Sequence, residues 1–330
     1  MYQHQFCCGP VAVTLASGIP ELLEKVAVSL GQYNAAWQTP SKNITITLSI
    51  LDSVVEAAAG NFMTCARMNV DISHLGLTAT TMAGARCDYD ESKEHWSVFL
   101  PTSFLNEDVG DLLEDFINLA LTTSWRQLGW VPVHAASITK NNCCALLCAT
   151  SGGGKTSLTA SLIRQGWKTL GDDKVLVRIG EGNKPFAGAL VHHFNLHPRS
   201  SDWFPEVGDL SLLPAYSRWT DKRKVTISSI WPDRAVISGQ PTHLGEVVRR
   251  NDIKGIDVYP LAKEKILPIL LKQTVLPHNL KVAGNIISTI ASVAQKLKGF
   301  RIEIGDNAYL EGKRSDGRSP WMSELEAVLL

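Results

Sequence analysis

Lys155 and Thr156 stand directly behind three consecutive glycines, Gly152, Gly153 and Gly154. A cation and a hydroxyl beside backbone free of side chains are suited to holding phosphate. Glycine N–H groups can curl around phosphate oxygens with no Cβ in the way. A lysine at this place reaches the β- and γ-phosphates of a nucleotide, and the threonine hydroxyl is placed to ligate Mg²⁺. Asp172 and Asp173 follow as adjacent carboxylates. One of them can hold the metal that Thr156 also holds. The other would resist sharing charge with it, and like-charge proximity raises one pKa to make a usable general base.

These groups need elements to position them. Ala145 to Cys148 is a short apolar run, the mark of a buried strand. The chain then breaks into small residues, and apolar positions resume at Leu158, Leu162 and Ile163 with the spacing of a helix face. Strand, glycine-rich turn and helix form the context that a phosphate-binding loop requires. The helix N-terminus adds unpaired donors and a favourable dipole. The pattern G-x-x-x-x-G-K-S/T is met except at Ala149, where its first glycine belongs. Alanine costs little there unless the position needs a positive φ. Upstream, Val131 to Thr139 reads as a strand, Lys140-Asn141-Asn142 as a tight turn, and Cys143 to Cys148 as the returning strand. Downstream, Trp167–Leu170 and Lys174–Ile179 read as strands, with the two aspartates at the boundary between them.

The stretch from His134 to Val177 resembles the kinase domain of bacterial HPr kinase/phosphorylase and its relatives. That family shares the P-loop fold of ATP-dependent phosphoenolpyruvate carboxykinases. The matching pieces are Val133-His134-Ala135-Ala136, Ala149-Thr-Ser-Gly-Gly-Gly-Lys-Thr-Ser-Leu158, Leu162-Ile-Arg-Gln-Gly-Trp167 and Leu170-Gly-Asp-Asp-Lys-Val175. The resemblance implies an α/β fold: a P-loop kinase domain over 130–330 with a mixed, hairpin-containing sheet, preceded by an α+β region over 1–129. It implies Mg²⁺-dependent transfer of the γ-phosphoryl group of ATP to a hydroxyl. Thr150, Ser151, Gly152, Gly153, Gly154, Lys155, Thr156 and Ser157 would bind the nucleotide. Thr156 and Asp173 would hold the metal, Asp172 would be the base, and His134 matches a histidine near the family's active site. Because HPr kinases form oligomers, a homo-oligomer is expected. The chain departs from the family at Ala149. It also lacks the Glu-Ile-Arg-Gly-type segment in the region searched, Gly239 to Gly255. The resemblance therefore carries a hydroxyl-bearing acceptor, a peptide, protein or small molecule, but not HPr itself. The same departures motivate an alternative, an ATP-binding regulatory or scaffold protein that transfers nothing. A carboxykinase acting on oxaloacetate shares the fold, but the chain is short for that family.

Bulk properties set outer bounds. Lys+Arg and Asp+Glu each number 32, so no global field draws nucleic acid or an acidic membrane. Short basic turns without interleaved aromatics do not make a nucleic-acid surface. Apolar content of 45% in 330 residues describes a globular protein with room for two domains. The seven cysteines include two adjacent pairs and no C-x-x-C, which suits reduced thiols in the cytoplasm. No basic segment opens the chain as in a signal peptide, and no apolar run has the length of a membrane span.

The remaining chain offers weaker candidates. In 1–129, strands are expected over Val11–Leu15, Asn43–Leu51, Phe62–Val70 and His95–Leu100, and helices over Ile19–Leu30 and Asp108–Leu128. Trp37, Trp96 and Cys87 read as packing residues. His192, His193 and His197 have metal-like spacing, but Pro198 follows at once and rules out a helix to present them. Arg199, and more weakly Arg249-Arg250, could neutralise phosphate. Asp221-Lys-Arg-Lys224 reads as a basic turn before a strand over Val225–Ile230. Lys222 or Arg223 could offset charge on a transferring phosphoryl group. Helices are expected over Leu261–Leu271 and Asn285–Leu297, and 312–319 reads as an exposed, mobile segment.

Overall fold

The computed structural model describes residues 1–31, 33, 35, 37, 39–51, 63–65, 68–73, 76–81, 84–105, 110–213, 215–217, 220–277, 279–306, 308 and 321–329. The segment 312–319 lies outside them. The chain is a mixed α/β protein that divides into two compact units, Met1–Gly129 and Trp130–Leu330.

The first unit is built on one mixed sheet. Its elements are β1 (Tyr2–Cys8), β2 (Val11–Ser17), α1 (Pro20–Leu30), β3 (Lys42–Leu51), β4 (Met63–Cys65), β5 (Met68–Ser73), β6 (Gly76–Thr81), β7 (Arg86–Asp90), β8 (His95–Pro101) and α2 (Gly110–Gln127). The strand order is β1-β2-β3-β8-β7-β6-β5-β4, with β2–β3 and β3–β8 parallel and the other pairs antiparallel. Alternation fixes the register: Ile44, Ile46 and Leu48 of β3 are buried, while the residues between them are not. Trp96 and Cys87 are fully buried, and Trp96 stacks on Tyr89 with ring centroids 4.3 Å apart. Trp37 is only half-buried. Part of the strand expected over Phe62–Val70 lies outside the described residues; the described part forms two strands paired antiparallel, not one. The first residues of the helix expected from Asp108 also lie outside them.

The second unit carries the phosphate-loop sequence. Its elements are β9 (Val131–Val133), β10 (Ala136–Lys140), β11 (Cys143–Ala149), α3 (Lys155–Arg164), β12 (Val175–Ile179), β13 (Pro185–Ala189), β14 (His193–Leu196), β15 (Ala215–Ser217), β16 (Thr220–Thr226), α4 (Ile227–Ile230), β17 (Ser238–Gly239), β18 (His243–Lys254), β19 (Ile256–Leu261), α5 (Ile266–Lys272), α6 (Leu280–Lys296), β20 (Lys298–Asp306) and α7 (Met322–Leu329). A mixed sheet, β10-β11-β18-β20-β19, sets the antiparallel hairpin β10–β11 beside the parallel neighbours β18 and β20. A second sheet, β17-β13-β12-β9, and a third, β14-β16-β15, are antiparallel. One face of the mixed sheet buries Ala145, Leu147, Val247, Phe300 and Ile302 with Leu158 and Leu162 of α3. Gly245 is paired with Phe300 across β18–β20, and a Cβ there would come within 2.5 Å of the ring.

Several local expectations are corrected. Val131–Thr139 is two strands in two different sheets, with the chain switching at His134 and Ala135. Trp167–Leu170 makes only isolated bridges, because its backbone bonds go to several segments: Lys168 to Thr139, and Thr169 to Arg234 and Val236. Asp221–Lys224 lies inside β16, and Ile227–Ile230 is a helical turn rather than strand. Leu261 ends β19, so the helix expected from there is only Ile266–Lys272, behind a short 3-10 turn. The helix expected over Asn285–Leu297 is longer, running from Leu280 with Asn279 capping the Val282 N–H.

Candidate active site

The hairpin β10–β11 turns through Asn141 and Asn142, with Asn141 at φ +53°. Its second strand is buried along its whole length and ends at Ala149. Ala149 is not among the residues of positive φ, so an alanine serves where the motif has its first glycine. The loop then folds tightly, with the Gly153 N–H bonded to the Thr150 carbonyl at 3.0 Å. Gly153 needs its missing side chain, since a Cβ would lie 3.0 Å from both the Ala149 Cβ and the Thr150 oxygen. Gly154, at φ +91°, is the N-cap of α3 and offers no side-chain cap to the first helical N–H groups. They remain available to an anion. The helix ends in a Schellman arrangement: Gly166 at φ +99° bonds the Ile163 carbonyl, and Trp167 bonds that of Leu162.

That turn leads into the segment bearing the aspartates, which β10 holds in place. The Ser137 Oγ accepts the Leu170 N–H at 2.8 Å, the Ser137 N–H donates to Gly171 O at 2.9 Å, and the Thr169 hydroxyl donates to Ser137 O at 2.6 Å. Gly171 passes so near β14's lead-in that a Cβ would meet the Val191 carbonyl oxygen at 2.8 Å. Asp172 and Asp173 come next, in a bend before β12.

Lys155 and Asp172 are 8% and 2% exposed. Neither the Lys155 Nζ nor the Asp172 Oδ1 has a hydrogen-bond partner. Burial pulls the Lys155 pKa down, against the pull of Asp172 and Asp173. Burial pushes Asp172 up to about 7; Lys155, a hydrogen bond with the Thr156 side chain and Lys222 draw it back, while Asp173 adds to the rise. Asp173 behaves oppositely. Burial raises it too, but a hydrogen bond from His134, the charge of Lys155 and that of His134 hold it well below the usual carboxylate range. The His134 Nε2 lies 3.1 Å from Asp173 Oδ1. The sheet switch explains how His134 gets there: it lies in the chain between β9 and β10, and its N–H is tied to the Gln273 carbonyl.

Thus Lys155, Thr156, Asp172, Asp173 and His134 converge. Thr150, Ser151, Gly152 and Ser157 fall on the same loop and helix start, with Gly152 at φ +76° and open on its free side. A third wall was foreseen only in Lys222. In the pairing of β14 with β16, Asn195 stands opposite Lys224 and His193 opposite Thr226. Alternation sends Phe194, Leu196 and Val225 into the apolar cluster with Ala160 and Ile163 of α3. His193, Asn195, Lys222 and Lys224 share the other face. His193 is 3% exposed, and its Nδ1, like Asn195 Oδ1, has no hydrogen-bond partner. Burial, then Lys224, pushes the His193 pKa down to about 4, while Asp173 pulls the other way. Lys222 is near enough to shift both Lys155 and Asp172. The sequence flagged His193 only through histidine spacing, and Asn195 carried no signal.

Other candidates lie elsewhere. Arg199 is exposed, its N–H on His197 Nδ1. Arg250 is committed to Asp252 and Glu303. No group of three or more His, Cys, Asp or Glu that could hold a metal occurs among the described residues, so the three histidines form no such site. Mg²⁺ does not need one, because it is held by one or two carboxylates plus phosphate and water. The Thr156 hydroxyl on the carboxylate of Asp172, with Asp173 adjacent, is a donor set of that hard-oxygen kind. The described cysteines are all free. No helix among the described residues is long and apolar enough to cross a membrane.

No family model and no curated protein matches the chain. Among solved structures it is similar to the Hpr(Ser) kinase/phosphatase from Coxiella burnetii, at 10% identity and a TM-score of 0.29, over 54% of this chain and 89% of that one. The likeness is a distant one of fold.

Proposed function

We propose that the chain is a kinase that transfers the γ-phosphoryl group of ATP to a hydroxyl. One observation carries this: a lysine and an aspartate are buried beside a glycine loop, with Lys155 Nζ and Asp172 Oδ1 unpartnered. A buried polar atom left unmade costs about 1–3 kcal/mol, more when charged. Folding tolerates two such atoms together where a ligand completes them. A nucleoside triphosphate offers oxygens to Lys155, and the hydroxyl of the acceptor donates to Asp172.

The Gly152–Gly154 backbone and Lys155 hold the phosphates. Thr156 and Asp173 would hold Mg²⁺, which when bound would neutralise charge on the phosphates. Asp172 accepts the proton of the acceptor hydroxyl. The new O–P bond forms as the bond from the γ-phosphorus to the bridging oxygen breaks, and ADP leaves with the electron pair. Lys222 offsets charge on the moving group. His134 keeps Asp173 ionised and therefore a ligand. His193 and Asn195 face the acceptor and exchange hydrogen bonds with it.

The test is transfer of label from γ-labelled ATP with Mg²⁺ to a panel of hydroxyl-bearing peptides and metabolites. Label should appear on one acceptor class. His193→Ala should raise the KM for that acceptor about tenfold, the worth of one hydrogen bond, and leave the KM for ATP within about twofold. Tight ATP binding with neither transfer nor hydrolysis would replace the kinase with a nucleotide-binding regulator.

A further inference from the structure

We infer a second ligand site, for a multiply charged organic anion, at the end of the mixed sheet remote from the phosphate loop. Cys143, His243 and Lys298 are the first residues of β11, β18 and β20, and all three line a cavity of about 710 Å³. The phosphate loop leaves the other end of the same strand, β11, which is about 20 Å long at 3.3 Å per residue. The two places are therefore distinct.

The lining has one sign of charge. Lys184, Lys296 and Lys298 contribute cations, and no Asp or Glu lines the cavity among the described residues. Glu326, on the helix that brings Leu329 to the lining, is bound to Lys140 at 2.6 Å. Between the cations stand neutral donors, Asn142 and Gln240 among them. The floor is built rather than mobile: His243 is 7% exposed, and its Nδ1 lies 2.9 Å from the Thr242 hydroxyl, which also receives the Cys144 N–H. With Nδ1 engaged, Nε2 is the ring atom left for a ligand. Burial, then Lys298, holds the His243 pKa down. The ring is thus a neutral hydrogen-bonding group among exposed cations. Cations, amides and a neutral imidazole in a space of ligand size are the chemistry that recognises phosphorylated or carboxylated organic molecules.

The probe is tripolyphosphate, titrated by calorimetry into the full chain carrying Lys155→Ala, which weakens binding at the glycine loop by more than about tenfold. One saturable site should remain. Its affinity should fall at least tenfold in Lys184→Glu and in Lys298→Glu, each in the same background. Lys265→Glu makes the same change of charge on an exposed lysine elsewhere, and there the affinity should stay within about twofold. Thermal melts show which variants are folded, and Lys298→Gln substitutes if Lys298→Glu is not. Absence of a saturable site in the Lys155→Ala protein overturns the inference. So does equal loss in all three glutamate variants, which would mark general charge attraction. Neither result bears on phosphoryl transfer at the glycine loop.

Discussion

Asp172→Asn should leave ATP bound and stop its phosphoryl group from moving. The amide has the shape of the carboxylate and keeps an oxygen for the Thr156 hydroxyl, but it cannot take a proton. Losing a positioned general base costs about 10²–10⁴ in rate. Transfer should therefore drop by at least about a hundredfold, while ATP affinity changes by less than about threefold. Lys155→Ala should do something different. The ammonium is the buried cation of the loop, and without it the exposed Lys222 is left to offset Asp172 and Asp173 beside the phosphates. ATP affinity should then fall by more than about tenfold, and transfer with it. Equilibrium binding of ATP beside single-turnover transfer separates the two effects. Full transfer by Asp172→Asn would remove Asp172 as the base. The Thr156 hydrogen bond would then point to Asp172 as the metal ligand, leaving Asp173, with His134, for the proton.

What could be read from the sequence was what is encoded locally. Three glycines before a lysine fix the loop, a buried apolar run fixes β11, and the asparagine pair fixes the hairpin turn. Each signal lies within a few residues of the structure that it makes. The third wall is different. Asp221–Lys224 read as a basic turn, with Lys222 or Arg223 as a candidate cation, because its charges hide a period of two: Lys222 and Lys224 face the site, while Val225, also in β16, packs on α3. Only the cross-strand register of β14 and β16 shows which face is which, and register is a long-range property. The segment Trp167–Leu170 read as strand because Trp167 and Leu170 are apolar and glycines bound it on both sides. Its backbone partners are spread over β10 and the residues after α4, and no local pattern specifies that. His193 is the residue most changed by this. Its spacing from His192 and His197 drew notice only as a metal pattern with no helix to present it, whereas its burial and its lone Nδ1 come from a strand pairing.

The same burial that readies Asp172 should make the unliganded protein less stable as pH rises. Its native pKa is pushed up to about 7, against about 3.9 in an unfolded chain. Between these values the native state binds the proton and the unfolded state does not, so stability falls with increasing pH. The contribution is fully present below about pH 4 and is lost as pH rises through about 7. At about 1.4 kcal/mol per unit the full span is on the order of 4 kcal/mol, an upper figure once relaxation and water entry are allowed for. His193 opposes it in the same window. Its lowered native pKa gives stability that is present above about 6.5 and lost as pH falls toward about 4. Asp173, with a depressed native pKa, acts only below about pH 4. The wild-type melting curve therefore mixes two slopes, and the comparison that isolates Asp172 is with Asp172→Asn. At pH 5 the two proteins should melt within a few degrees of each other. By pH 8 the variant should melt higher by roughly 5–10 °C, since each kcal/mol moves a domain of this size by roughly 2–4 °C. ATP with Mg²⁺ should shrink the gap, because the cation offsets the buried charge of the wild type. A melting difference that stays flat from pH 5 to pH 8 would mean that Asp172 is not the buried, proton-holding carboxylate on which the base assignment depends.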